Sequence, residues 1–152
     1  SGIVVKGIND MAVRFSKCCN PVPGDEIVGF VTRGRGMSIH RTDCVNVINL
    51  SAAERSRLIT AEWEDPGDTE EGGQYLAELK LYADDRRGLL LDITKVFTEE
   101  KIDVKSMNTR TSKKGTATMD MGFIVHGREA LNRVIKKLRQ IENVIDIERT
   151  TG

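Results

Sequence analysis

Two passages of alternating apolar and polar residues, each coupled to a helical stripe, restrict the possible folds of this chain more than any other feature. Tyr75, Ala77, Leu79, Leu81 and Ala83 stand at every second position among mostly polar neighbours, the period of a strand with one buried face. Leu89, Leu90, Ile93, Val96 and Phe97 follow at helical spacing along one stripe. A strand-like stretch at Asp103–Thr111 and a turn at Ser112-Lys113-Lys114-Gly115 come next. Ala117, Met119, Met121, Phe123 and Val125 then alternate again, Leu131, Val134, Ile135 and Leu138 form a second helical stripe, and Val144–Glu148 reads as a closing strand. The order is βαββαβ. It predicts an α+β ferredoxin-like unit, an antiparallel sheet with two helices on one face, whose other face and edges need a cover or a partner.

The first 64 residues carry shorter signals and predict a small mixed α/β module. Ile3–Lys6, Ala12–Lys17 and Ile27–Thr32 read as short strands, Thr42–Arg57 as one or two helical turns, and Ile59–Trp63 as a last strand. Gly34-Arg35-Gly36 lies between apolar runs and reads as a hairpin turn in which glycine supplies positive φ. Residues 65–73 combine Pro and Gly with four acidic and no basic side chains, which predicts a linker. The expected organisation is therefore 1–64, a 65–73 linker and 74–152.

Composition narrows the function classes. About a quarter of the residues are Leu, Ile, Val or Phe, which excludes intrinsic disorder. The 23 basic and 23 acidic side chains cancel, so contact with nucleic acid must come from a local patch. No apolar run is long enough to cross a bilayer, so no membrane partner is expected. Three cysteines, two of them adjacent, do not make a secreted disulfide framework and point to reduced thiols in a cytoplasm. The start at Ser1-Gly2, leading at once into an apolar run, reads as a piece of a longer chain.

The chemistry-bearing residues concentrate in the first module. Cys18, Cys19, His40 and Cys44 supply three thiols and an imidazole, the donor set of a closed tetrahedral zinc site. His40 and Cys44 are four apart, so one helical turn would aim both the same way. Cys18 and Cys19 would share a metal only if the backbone bends near them, and Pro21, Pro23 and Gly24 make room for a bend. Two other readings stay open: buried structural thiols, and a cysteine nucleophile paired with His40. Gly34 and Gly36 do not open a nucleotide-binding G-x-G-x-x-G, because Ile39 stands where the third glycine belongs. Arg33, Arg35 and Arg41 form a candidate basic patch for RNA phosphates, against the alternative of a solvated surface.

The stretch from Cys18-Cys19-Asn20-Pro21-Val22-Pro23-Gly24-Asp25 to His40-Arg41-Thr42-Asp43-Cys44 closely resembles the conserved-cysteine, zinc-finger-like module of long RelA/SpoT homologues, the stringent-response enzymes that make and hydrolyse (p)ppGpp. In that family the module precedes a βαββαβ ACT domain, and residues 75–149 look like one. The resemblance implies a regulatory region that senses amino-acid starvation through the ribosome and tRNA and controls catalytic domains elsewhere in the parent chain. Catalysis is not expected here. Contact with ribosomal RNA through Arg33, Arg35 and Arg41, and a metal on Cys18, Cys19, His40 and Cys44, are further implications.

ACT domains that bind free amino acids meet the ligand at the loop after their first strand, often at a dimer interface. The matching loop is Asp84-Asp85-Arg86-Arg87-Gly88-Leu89-Leu90, so the resemblance implies an effector site at Asp85, Arg87, Gly88 and Leu89 with Asn108, and a homodimer through the ACT domain. Asp85 reads equally as a helix cap. His126 reads as a turn or surface residue, Trp63 as core packing, and Arg133, Lys136, Lys137 and Arg139 as a solvated helix face.

Overall fold

The computed structural model of the protein describes residues 2–5, 12–34, 36–64 and 73–150, and all structural statements concern these residues. The expected linker lies outside them except for Gly73, and so does Arg35. In chain order the elements are β1 (Ile3–Val5), β2 (Val13–Phe15), β3 (Ile27–Thr32), β4 (Gly36–Arg41), α1 (Val45–Ile48), α2 (Ala52–Arg55), β5 (Leu58–Ile59) and β6 (Ala61–Trp63). Then follow β7 (Tyr75–Asp84), α3 (Leu89–Glu99), β8 (Val104–Thr111), β9 (Thr116–Val125), α4 (Arg128–Arg139) and β10 (Val144–Arg149).

The second half is the ferredoxin-like unit read from the sequence. Its antiparallel sheet has the order β10-β7-β9-β8. The alternating residues of β7 and β9, from Ala77 to Ala83 and from Ala117 to Val125, are buried under Leu89, Ile93, Val96 and Phe97 of α3 and Leu131, Val134 and Leu138 of α4. Phe97 and Phe123 pack with ring centroids 4.9 Å apart. Gly88, in the left-handed region at φ 81°, occupies the N-cap of α3, so Asp85 is not the cap. At the other end Lys101 is left-handed (φ 56°), and the Ile102 and Lys101 amides donate to Phe97 O and Thr98 O at 3.0 and 3.1 Å, which closes the helix with a Schellman motif.

The first half builds a sheet in the order β2-β4-β3-β5, with β2 parallel to β4, and a two-stranded ribbon of β1 and β6. The expected strand Ile59–Trp63 divides at Thr60, because β5 pairs with β3 whereas β6 crosses to β1. The hairpin between β3 and β4 uses its glycines as expected, with φ of 68° at Gly34 and 96° at Gly36. Gly36 has a second reason to lack a side chain: a Cβ there would overlap the Ala12 carbonyl, which accepts from Met37 N at 2.8 Å.

The two halves share buried surface. Val22, fully buried, packs into the core of the β7–β10 sheet, and Phe15, Trp63 and Tyr75 form a cluster across the junction. Phe15 and Trp63 stack at 5.6 Å, and each meets Tyr75 edge-on at 5.5 Å. Trp63 therefore packs, and its indole N–H donates to Asp25 O at 3.0 Å. Gly36→Ala should lower the urea midpoint, by the equivalent of about 1–3 kcal/mol, since strain and overlap act together. An unchanged midpoint would contradict this packing.

Candidate metal centre

Two chain reversals gather the thiols and the imidazole. Residues 17–19 form a turn in which Asn20 N–H donates to Ser16 O at 3.0 Å, with Asn20 at φ 46°, a conformation that Asn tolerates better than most residues. This bend lets the adjacent Cys18 and Cys19 face one space, which a regular strand would forbid. His40 lies on β4 and Cys44 at the N-cap of α1. No helical turn joins them, contrary to the expectation; a tight turn does, closed by Cys44 N–H donating to Arg41 O at 3.1 Å.

Cys18 Sγ lies 3.4 Å from both His40 Nδ1 and Cys44 Sγ. Cys19 Sγ lies 3.9 Å from His40 Nδ1 and 4.0 Å from Cys18 Sγ. All four donor atoms fall within 4.8 Å of one another. A tetrahedral ion with metal–sulfur bonds of about 2.3 Å needs donors roughly 3.5–3.8 Å apart, so small adjustments would suffice and the donor set fits a thiophilic metal. The other ring nitrogen, His40 Nε2, is 3.1 Å from Ser38 Oγ, which fixes the ring with Nδ1 towards the sulfurs. A depression of about 200 Å3, lined by Phe30, Asn46 and Val47 among others, opens beside the imidazole.

Burial dominates the electrostatics of the cluster. Burial pushes the Cys19 thiol up to about 12, and burial likewise raises Cys44. Burial acts upward on Cys18 too, but hydrogen bonds from Ser16, Asn46 and Cys44 outweigh it and hold this thiol below its ordinary value. His40 is lowered by burial and then by the charge of Arg14. A neutral imidazole suits metal ligation, whereas Cys19 and Cys44 would ionise readily only beside a cation.

Arg41 departs from its expected place. Its side chain is only 6 % exposed, forks onto Asp43 at 2.6 and 2.9 Å, and donates through Nη1 to Cys19 O at 3.2 Å and Thr150 O at 2.9 Å. Its backbone N–H donates to Cys19 Sγ at 3.3 Å. Arg41 is thus a brace behind the cysteines, while Arg33 stands exposed at the β3–β4 hairpin.

The implied effector residues are spread out. Asp85, Arg87 and Gly88 are exposed around the loop and Leu89 is buried in α3. Asn108 pairs with Asp120 on the edge strand β8, whereas Asp84 pairs with Thr116. Four residues along and two strands across place Asn108 roughly 16 Å from the loop within one chain. Arg86, not singled out in the sequence, organises the loop through Asp92 at 2.7 Å and Glu142 O at 3.2 Å. His126 is half-buried with Nδ1 3.0 Å from Gly73 O, and Arg133 and Lys137 reach Glu100.

Ser38 could have been found in the sequence, since it lies two positions before His40 on one strand face. Asp25 and Arg149 could not. They are separated by most of the chain, and they form a buried fork with distances of 2.7 and 3.0 Å.

The RelA/SpoT RIS domain matches residues 3–64, and the ACT domain matches residues 71–149. This chain belongs to the ACT-domain family and carries a RelA/SpoT RIS domain. Over 151 residues, 99 % of this chain, it is 39 % identical to a GTP pyrophosphokinase of Escherichia coli and 40 % identical to one of Streptomyces coelicolor. It spans only 20 % and 17 % of their lengths, in the C-terminal region of such proteins. An ACT domain structure from a Chlorobium tepidum GTP pyrophosphokinase is 23 % identical, with a TM-score of 0.46, and covers 51 % of this chain and 99 % of its own. Among the described residues no helix is long and apolar enough to cross a membrane.

The fit of the four donors to a thiophilic metal predicts that Ser38→Ala weakens metal affinity of the cluster about tenfold in competition with a chelator, because the imidazole loses its orienting partner. Undiminished affinity would show that Ser38 does not orient the ring.

Proposed function

We propose that this chain is a non-catalytic regulatory region of a (p)ppGpp synthetase/hydrolase, which senses amino-acid starvation through the ribosome and tRNA and controls catalytic domains of the parent chain. The observation that carries this reading is the match along the whole chain to the C-terminal region of GTP pyrophosphokinases. The site adds to it: four clustered metal-type donors with a brace and an orienting hydroxyl make a rigid recognition module. The reading assigns zinc to Cys18, Cys19, His40 and Cys44. It assigns ribosomal RNA to the hairpin arginines Arg33 and Arg35, with Arg41 kept for internal bracing, in a cytoplasmic setting.

A control mechanism of this kind shifts a population between two arrangements of the parent, and only a partner that binds one arrangement more tightly can do so. Electrostatic contact with RNA through two arginines would make ribosome binding fall as salt rises. Arg33→Glu with Arg35→Glu should weaken sedimentation with ribosomes carrying uncharged tRNA by at least roughly tenfold, with the melting temperature kept. Equal co-sedimentation of wild type and variant would remove the RNA role of the hairpin.

A second reading, an amino-acid effector held where two ACT halves meet, is favoured by Leu90, Leu91 and Ile145, large apolar side chains left exposed near the Arg86 loop. Calorimetric titration with the twenty amino acids should then show one saturable heat, and a flat result for all of them would remove this reading.

A further inference from the structure

The segment Cys18–Asp25 has two attachments. One end brings Cys18 and Cys19 to the donor cluster, and the rest is pinned to the ACT half. Val22 sits in the ACT core, and Pro23 O accepts from Arg128 N, the first residue of α4, at 2.7 Å. Arg149, on the last strand, donates to both carboxylate oxygens of Asp25 and, at 3.3 Å, to Asn20 O, one residue beyond Cys19. Asp25 in turn accepts from Val22 N at 2.8 Å, so the same carboxylate shapes the loop and holds the strand. Arg41 repeats this pattern from the other side. Its amide touches the Cys19 sulfur, and its guanidinium bridges Cys19 O to Thr150 O just beyond the strand.

We propose that filling of the Cys18–Cys19–His40–Cys44 site and docking of the ACT half onto the RIS half are one coupled equilibrium, transmitted by the Asp25–Arg149 fork and the Arg41 bridge. The proposal rests on the metal reading above. The ligand geometry requires the loop bend; the docked strand β10 holds the bend through Asn20 O and Asp25, and Arg41 ties Cys19 O to Thr150 O just beyond that strand. Binding of an ion therefore favours the docked arrangement, and docking raises affinity for the ion by the same factor. The regulatory consequence is that a chelator that strips the ion would weaken the docking of the ACT half without touching it directly.

Arg149 and Asp25 are positioning residues in this scheme, outside the ligand set. The test is cobalt(II) affinity of the whole chain, followed by the ligand-field absorption of a tetrahedral thiolate site under chelator competition. It is measured for wild type, Arg149→Gln and Arg149→Lys. The expected result is a loss of about tenfold or more for the glutamine variant and a smaller loss for lysine, which keeps one charged contact. A second arm needs no variant: hydrogen exchange of residues 144–150 in the wild type should quicken when the metal is removed, with α3 unaffected. Equal cobalt affinity in all three proteins, or exchange at 144–150 that ignores the metal, would overturn the coupling while leaving the metal site intact. No tetrahedral cobalt spectrum in the wild type would sink the metal reading itself and the coupling with it.

Discussion

The Asp25–Arg149 ion pair is the interaction on which the arrangement of the rest depends. Both groups are largely withdrawn from water, the Asp25 side chain being 5 % exposed, so removing either one strips a buried charge of its short partner; Asp25 would keep only the more exposed Arg128 Nε at 4.0 Å. Breaking a buried pair of this kind costs up to about 3–5 kcal/mol where no partner is left, a ceiling that the remaining Arg128 contact lowers for Asp25, whereas an exposed helix pair such as Lys95–Glu99 contributes about 1 kcal/mol or less. The difference decides which of the many ion pairs matters. The fork joins the turn after the cysteines to the final strand of the sheet, and the shared core of Val22, Phe15, Trp63 and Tyr75 lies around it. Loss of the apolar contacts would leave the charges exposed to water, and loss of the charges would leave a polar defect beside the apolar contacts.

Around that junction each half has its own source of order. The ACT half is held by burial along β7, β9 and two helices and needs no cofactor to explain its core. Among the described residues the RIS half has short strands, two four-residue helices and two small buried clusters, one at Cys19, Cys44 and Val47 and one at Met37, Ile39 and Ala61. A module of this size gains from an added staple, and the four clustered donors would supply one on binding a metal. Burial raises the thiols of Cys19 and Cys44, so without a cation they stay protonated and neutral, and a bound cation would be what ionises them.

The ACT fold was legible because it is periodic: Ala77-Leu79-Leu81 and Ile93-Val96-Phe97 announce a strand and a helix by spacing alone. The donor set was legible as a list of Cys18, Cys19, His40 and Cys44, but its assembly was not. The left-handed Asn20 and the short turn at Arg41–Cys44 carry no repeat that a pattern can detect. Arg41 shows the limit most clearly. From its neighbours it reads as one of three surface arginines, yet its partners Cys19 and Thr150 are remote in sequence and draw it inside. Asp25 and Arg149 are likewise single residues whose meaning exists only after both sheets have formed.

The central claim is that the RIS and ACT halves make one cooperative unit around a shared junction. The chain has a single tryptophan, Trp63, and it lies at that junction, while far-UV circular dichroism reports the whole backbone. Thermal unfolding followed by both signals tests the claim most directly. The account requires the two curves to coincide in one transition. Two separated transitions, with the tryptophan signal lost while most of the helix and sheet remain, would contradict it.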